Sequence, residues 1–170
     1  PRTIPKAPPA AILPSGNLVL DGIQRGVEYL RIHQEEDGHF SKGMLDPKPA
    51  FTALVVEALA HAPLEKSAAN QRLIDRAVAA ILERQQPNGS ICTPHFGLDQ
   101  YTTSISLLAL KTLNRPEDAA VIEKAKEYLL KLQRPMVEGD PLSGGVGYGD
   151  PSRVDGGNTA MWVEALKNAG

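Results

Sequence analysis

The chain is 170 residues long, 42% apolar and 22% charged, which is the size and composition of one globular domain with its own core. Its formal net charge of −2 gives no bulk attraction to nucleic acid, and no apolar run reaches the roughly 18 residues that a membrane-spanning helix needs. The single cysteine, Cys92, excludes a disulfide within the chain. We therefore expect neither nucleic-acid binding nor a membrane span.

Residues 1–17 are predicted to form a proline-rich arm or linker, and residues 18–170 one helical repeat domain. Five of the first sixteen residues are proline, which suits an extended segment and prevents a helix. Two interpretations of the arm stay open: a linker left after removal of a leader or anchor, or a boundary inside a longer protein. They leave the compartment open as well, either cytoplasmic or exported.

Hydrophobic spacing predicts six helices in chain order. Their predicted ranges are 18–34, 50–61, 67–86 with Ser67 as N-cap, 100–113, 116–133, and a last helix capped at or near Asn158. The odd-numbered helices are amphipathic, which favours an outer layer with one wet face. The second and fourth are apolar around most of their circumference, so we expect an inner layer buried on more than one side.

The pattern recurs about every fifty residues, each time as an amphipathic helix, a glutamine, a turn, and a buried helix containing a threonine. The aligned glutamines are Gln34, Gln85 and Gln133, and the aligned threonines are Thr52, Thr103 and Thr159. The spacing from glutamine to threonine is 18, 18 and 26 residues, so the third copy carries an eight-residue insertion. Such a period is typical of stacked helical hairpins. We expect the glutamines to bond backbone groups at helix ends and between neighbouring hairpins rather than to act chemically.

The three loops between odd and even helices fall at one end of such a stack, at 35–50, 86–101 and 134–157, and together carry a net charge of −5. Long loops gathered on one face of a repeat protein usually carry its function. An acidic rim of this kind could hold a divalent cation with a diphosphate, attract a basic partner, act as a general acid, or be an ordinary polar surface.

The repeat resembles that of the prenyltransferase and squalene cyclase family. The resemblance rests on the helix–Gln–x–x–Asp/Asn–Gly–aromatic pattern and, in the third copy, on Gly144-Gly145-Val146-Gly147-Tyr148-Gly149 with Asp155-Gly156-Gly157-Asn158-Thr159. It implies an α/α-toroid whose inner helices surround an apolar cavity, which in that family holds isoprenoid chains. The family's ring has six hairpins and this chain supplies three. The predicted fold is therefore an all-α half-toroid of about three stacked antiparallel helical hairpins.

A half-ring needs a partner for its open ends: the rest of a longer chain, a second copy in a homo-oligomer, or the arm folding back. The family's catalytic residues do not carry over to this sequence. The cyclase Asp-x-Asp-Asp cluster does not occur, and Ser90 stands where the zinc-binding Asp of prenyltransferases precedes the cysteine, Cys92. Cys92 and His95 remain weak zinc candidates, together with Asp99 in the same loop and His39 in the equivalent loop of the preceding copy.

Six residues on the loop face or the inner helices are predicted to bind a ligand or partner: His39, Asp46, Asp99, Tyr101, Asp155 and Trp162. The two aromatic residues among them could line a cavity, hold a cation by π contact or pack in the core. Three functions stay open. The favoured one is a module that binds an apolar, isoprenoid-like ligand or a protein without chemistry. The others are part of a terpene-cyclase-like or prenyltransferase-like enzyme with its acids on the loop face, and a structural assembly module. The sequence identifies no cofactor.

Overall fold

The computed structural model describes residues 14–41, 48–63, 67–149 and 153–170. These residues contain six α-helices and no strand. The helices are α1 (Leu18–His33), α2 (Lys48–His61), α3 (Ala68–Leu82), α4 (Asp99–Leu113), α5 (Ala119–Leu130, after a 3₁₀ turn at Pro116–Asp118) and α6 (Gly156–Ala169). The prediction of an all-α fold is confirmed.

Side-chain caps begin α1, α3 and α6. Ser67 caps α3 as predicted, since its hydroxyl accepts the N–H of Asn70 at 3.2 Å. The cap of α6 was predicted three residues too late: Asp155 caps it and accepts the N–H of Asn158 at 2.8 Å. An aspartate at this position also places negative charge at the positive end of the helix dipole.

Two helices end earlier than their hydrophobic pattern predicts. The third was predicted to reach residue 86 but ends at Leu82, and the fifth was predicted to reach 133 but ends at Leu130. In both, the last N–H groups bond three residues back instead of four, from Gln85 to Leu82 at 3.1 Å and from Leu132 to Leu129 at 3.1 Å. This tighter turn leaves the glutamine that follows outside the helix, where its side chain is available for other contacts.

The even helices form an inner layer with α4 in the middle, packed against α2 on one side and α6 on the other. All three run in the same direction. Gln100 and Asn158 join the first turns of α4 and α6, at 3.3 Å from side-chain Nε2 to carbonyl oxygen. Thr112 and Glu57 join the last turns of α4 and α2, at 2.9 Å from Oγ1 to Oε1. The predicted inner layer is therefore confirmed.

The outer helices α3 and α5 each pack most closely on the inner helix that precedes them, because a short connection joins the two. The central helix α4 is the core of the domain, with every residue from 102 to 107 buried. By contrast, Asp21 is the one buried residue of α1. The inner layer thus has a well-packed centre, and α1 lies at its thinly covered N-terminal edge.

Candidate functional site

The turn after each repeat glutamine is closed in the same way in all three copies. The closing N–H···O=C bonds run from Glu35 to His39 at 2.8 Å, from Gln86 to Ser90 at 2.7 Å and from Arg134 to Gly145 at 3.1 Å. A left-handed glycine precedes each acceptor: Gly38 at φ +86°, Gly89 at φ +95° and Gly144 at φ +74°. The third turn therefore absorbs most of its inserted residues while keeping its closing geometry.

The first two turns dock on the outer helix of the next copy. Gln34 donates from Nε2 to the Leu73 carbonyl of α3 at 3.0 Å, and Gln85 donates to the Val121 carbonyl of α5 at 2.9 Å. Both acceptors stand twelve positions before the next repeat glutamine, so the joint recurs in register. The prediction that these glutamines bond backbone groups between neighbouring hairpins is confirmed.

The repeat threonines hold each loop to the start of its inner helix. Thr103 accepts the N–H of Ile91 at 2.9 Å, and Thr159 accepts that of Val146 at 3.1 Å. In the first copy, the Nδ1 atom of His39 lies 2.8 Å from the Thr52 hydroxyl. Since His39 is only 2% exposed, this predicted ligand-binding residue is placed as a buried tie between the first loop and α2.

Helix α4 packs against another inner helix on each of two faces, α6 on one and α2 on the other. The face toward α6 begins at Gln100 and, at helical spacing, comprises Gln100, Ser104, Leu107 and Lys111. The face toward α2 ends at Thr112 and comprises Thr102, Ile105, Ala109 and Thr112. All but the last member of each face are buried. An inner helix inside this stack is therefore covered on both flanks.

In α2, one flank is covered and the other is open. With Thr52 aligned on Thr103, the flank that meets α4 comprises Pro49, Ala53, Val56 and Ala60, of which the first three are buried. The opposite flank, which we name the α2 edge face, comprises Phe51, Leu54, Ala58 and His61, and all four are exposed. The prediction that α2 is buried on more than one side is confirmed by its packing against α4 and α3, but the burial does not extend to this flank. The register shows why: within the described residues no inner helix precedes α2.

Part of the α2 edge face lines an apolar groove between α1 and α2 with a volume of about 440 Å³. The lining residues are Tyr29, Leu30, His33, Glu35, Phe40, Phe51, Leu54 and Val55. Phe51 and Leu54 are each 45% exposed, and the ring of Tyr29 stacks on that of His33 with 3.9 Å between centroids. Six of the eight lining residues carry a large apolar or aromatic side chain, so the groove suits an apolar occupant.

The remaining predicted binding residues are placed apart from this groove. Tyr101 is half-buried in the first turn of α4, with its ring 6.1 Å from that of Tyr148. Asp99 begins the same turn, and Asp155 caps α6. Trp162 is buried and donates its indole N–H to the Leu129 carbonyl of α5 at 2.8 Å, so its ring is core rather than cavity lining. Asp46 lies outside the described residues.

The zinc candidates do not gather into a ligand set in the described part of the chain, where no three His, Cys, Asp or Glu side chains are grouped to hold a metal. Cys92 is buried, and its sulfur lies 3.4 Å from the Ser90 hydroxyl. Burial raises the pKa of the Cys92 thiol, which disfavours the thiolate that metal binding requires. His95 is exposed in a left-handed turn at φ +66°.

Three carboxylates of the loop face are occupied by backbone and side-chain partners. The Leu142 N–H and Arg134 lower the pKa of Asp140, and the Asn158 N–H lowers that of Asp155. Burial acts to raise the pKa of Asp37, but the His39 N–H and nearby Lys48 outweigh it. A general acid needs a raised pKa, so these three groups are suited to holding turns and caps rather than to donating protons.

The sequence reasoning missed the groove residues Tyr29, Phe51 and Leu54. Nothing in α2 alone distinguishes an apolar flank that meets α4 from one that meets nothing. The available signal was the copy count, because the first inner helix of an open stack has no predecessor.

Comparisons with protein-family models, curated proteins and solved structures returned no significant match to the chain. In the described residues, no helix combines the length and apolarity that crossing a bilayer requires.

Proposed function

We propose that this protein is a non-catalytic binding module that holds an apolar partner in the groove between α1 and α2. The observation that carries this proposal is the exposure of Phe51 and Leu54, 45% each. Their counterparts in α4, Thr102 and Ile105, are 2% and 3% exposed. The groove thus presents to solvent a flank that the same repeat buries one copy later.

The energetics favour an occupant. Full burial of a large apolar side chain stabilises by about 1.5–3 kcal/mol, so covering the exposed half of Phe51 and Leu54 contributes about 1 kcal/mol each. Tyr29 adds a further ring that is 59% exposed. A contiguous apolar patch of this kind on a small domain typically marks a binding surface.

The absence of chemistry in the proposal rests on what the loop face does. The carboxylates of Asp37, Asp140 and Asp155 have lowered pKa values and hold turns or a cap. The sequence also lacks the catalytic sets of the family that its repeat resembles. An apolar ligand held without turnover is therefore the simplest role for a chain that has this repeat and lacks those catalytic sets.

A second candidate is an isoprenoid-like ligand in the same groove. The aromatic rings of Tyr29, Phe40 and Phe51 line a volume of about 440 Å³, and His33 and Glu35 supply polar groups among the lining residues. An apolar groove with polar groups among its lining residues suits a long alkenyl chain that carries a polar head. This candidate is the one that the resemblance to prenyltransferases and cyclases favours.

Fluorescence titration with the apolar dye 1-anilinonaphthalene-8-sulfonate tests the groove. We expect the wild-type protein to bind the dye and the Leu54→Glu variant to lose that binding, because a carboxylate in the groove must be desolvated. Leu130→Glu is the matched control, since Leu130 is 54% exposed on α5, away from the groove. Equal dye binding by the two variants, measured at a concentration at which each has the mass of one chain, would refute the proposal. Displacement of the dye by farnesol or geranylgeraniol, increasing with chain length, supports the isoprenoid candidate.

A further inference from the structure

Helix α6, at the other end of the inner layer from α2, is also exposed on one flank, but on the side opposite to the one exposed in α2. With Thr159 aligned on Thr103, the flank of α6 that meets α4 comprises Asn158, Met161, Ala165 and Asn168. The opposite flank, which we name the α6 edge face, comprises Gly156, Ala160, Val163 and Lys167, and all four are exposed. In register, the four residues of the α6 edge face align with the residues of α4 that face α6. Within the described residues, the inner layer therefore exposes two different flanks. At α2 it exposes the flank that in α4 meets the preceding inner helix, and at α6 the flank that in α4 meets the following one.

The two edge faces are matched in size. The α2 edge face carries the bulky Phe51 and Leu54, and the α6 edge face carries the small Gly156 and Ala160. Inside the chain, the flank of α2 that meets α4 likewise carries small residues such as Ala53, and the flank of α4 that meets α2 carries the larger Ile105; both residues are buried. Close packing of helices requires this alternation of large and small side chains.

A polar pair of the internal joint also has counterparts at the open ends. Inside the chain, Thr112 of α4 donates to Glu57 of α2 at 2.9 Å. In register, His61 occupies the position of Thr112, and Glu164 occupies that of Glu57. Both are exposed. Docking α6 of one copy on α2 of another therefore brings a potential donor to an acceptor, as the internal joint does.

The outer helices and the turns that dock on them show the same relation between the two ends of the described chain. Within the described residues no outer helix follows the turn of Gln133, and Gln133 donates to the Gly144 carbonyl in its own turn, at 2.9 Å. At Gly144 an added Cβ would meet the sulfur of Met136 at 2.7 Å, whereas at Gly38 and Gly89 it would meet a carbonyl of the next outer helix. The third turn thus retains the closing geometry, but its glycine faces the side chain of Met136, which is 80% exposed, whereas the glycines of the first two turns face a helix.

The complementary helix surface exists at the other end of the chain, on α1. The turns dock on a stripe that comprises Leu73, Arg76 and Ala80 in α3, and Val121, Lys124 and Tyr128 in α5. The same register gives Gly22, Arg25 and Tyr29 in α1, all exposed. The basic residue recurs in all three stripes and the tyrosine in two of them. The first outer helix therefore has the chemistry of a docking stripe on which no turn of the described residues packs.

We propose that a second copy of this chain docks head to tail, with its α6 and third turn covering α2 and α1 of the first. The inference rests on the proposed function, because it names the partner of the same groove. The contact is heterologous, so it repeats the relation between consecutive copies inside the chain and closes into a ring when the rotation allows. One of the three partners that the sequence left open, a second copy in a homo-oligomer, thereby acquires defined faces.

Light scattering coupled to size exclusion tests the assembly. We expect wild-type protein to have a mass at least twice the 18.3 kDa of one chain. Leu54→Glu alters only the α2 edge face and Val163→Arg only the α6 edge face, and each variant alone is expected to have the mass of a single chain. Leu130→Glu on α5 should retain the wild-type mass. A single-chain mass for the wild-type protein overturns the inference.

Mixing the two single-face variants separates a head-to-tail contact from a symmetric one. In the mixture, the unaltered α6 edge face of Leu54→Glu meets the unaltered α2 edge face of Val163→Arg, so one joint is intact and the mass doubles. If like faces met like faces, the variant whose altered face lies outside the contact would assemble on its own, which overturns the inference. Circular dichroism of each variant must show wild-type helicity, so that loss of assembly is not loss of fold.

The dye titration distinguishes failure of this inference from failure of the proposed function. Val163→Arg leaves the groove residues unchanged and, if the groove is covered in the assembly, binds more dye than wild-type protein. A wild-type protein that has the mass of one chain and binds dye through Leu54 overturns the head-to-tail contact and supports the groove as a site for another partner. A single-chain mass with no dye binding overturns both proposals.

Discussion

Replacing Gly89 by alanine tests the joint that orders the repeat. Gly89 has φ +95°, and a Cβ at this position would collide with the carbonyl oxygen of Lys124 in the next outer helix. Gly97 provides a matched control, because it has φ +78° and nothing within 4 Å of the same added atom. The two substitutions therefore share the backbone strain and differ in the collision.

The expected magnitudes follow from these two contributions. A non-glycine residue held at positive φ costs about 1 kcal/mol or somewhat more, which is the cost expected for Gly97→Ala. Gly89→Ala adds an overpacking cost of about 1–3 kcal/mol, because the obstacle is helix backbone that cannot rotate away. For a domain of this size, a difference of about 1–3 kcal/mol corresponds to a Tm that is roughly 2–12 °C lower.

Urea denaturation followed by circular dichroism measures both variants under the same conditions. We expect Gly89→Ala to unfold at a clearly lower urea concentration than Gly97→Ala, with both helical before denaturant is added. Equal midpoints would show that the turn does not press on α5 as described. In that case, the register-based reasoning about docked turns would lose its main support.

Three further predictions concern the repeat, the caps and the cysteine. Gln34→Ala removes two hydrogen bonds of a buried amide and should cost about 1–3 kcal/mol in urea unfolding, whereas Gln133→Ala, at an exposed position, should cost clearly less; equal costs would contradict the joint. The Asn158 N–H lowers the pKa of Asp155, so the ionised Asp155 cap stabilises the fold above the unfolded pKa near 3.9, and this contribution is lost as the pH falls through the lower folded pKa. In acid titration, the difference in unfolding free energy between the wild-type protein and Asp155→Asn should therefore shrink below about pH 4. Cys92 should react with a thiol reagent far more slowly in native protein than in urea, because it is 3% exposed, and rapid native labelling would contradict its burial.

Local patterns were enough to predict the helices and the repeat. The 3.6-residue spacing of apolar residues identified all six helices, and the aligned glutamines and threonines gave the copy boundaries. The alternation of amphipathic and apolar helices predicted the two layers, because a helix must bury whichever face is apolar. Helix ends were less predictable, since the final turns of α3 and α5 tighten where tertiary contacts use the glutamines.

The candidate site was less accessible to the sequence. His39 and Trp162 have the residue types of ligand-binding groups, yet the fold uses one to hold a loop and the other to join α5 to α6. A side chain's identity gives its chemical capacity, whereas its neighbours decide whether that capacity is already satisfied. The groove residues Phe51 and Leu54 were read as core for the converse reason, because an apolar pattern does not reveal whether its partner lies within the chain.

The sequence by itself therefore determined the repeating unit: an outer helix, a glutamine turn and an inner helix, three times over. Only the tertiary structure decided which flanks of those units are covered. The physical reason is that periodicity within a helix reports its apolar faces, while burial depends on an adjoining element many residues away. At α4 both flanks meet another inner helix, whereas at α2 and α6 one flank meets no helix of the described residues.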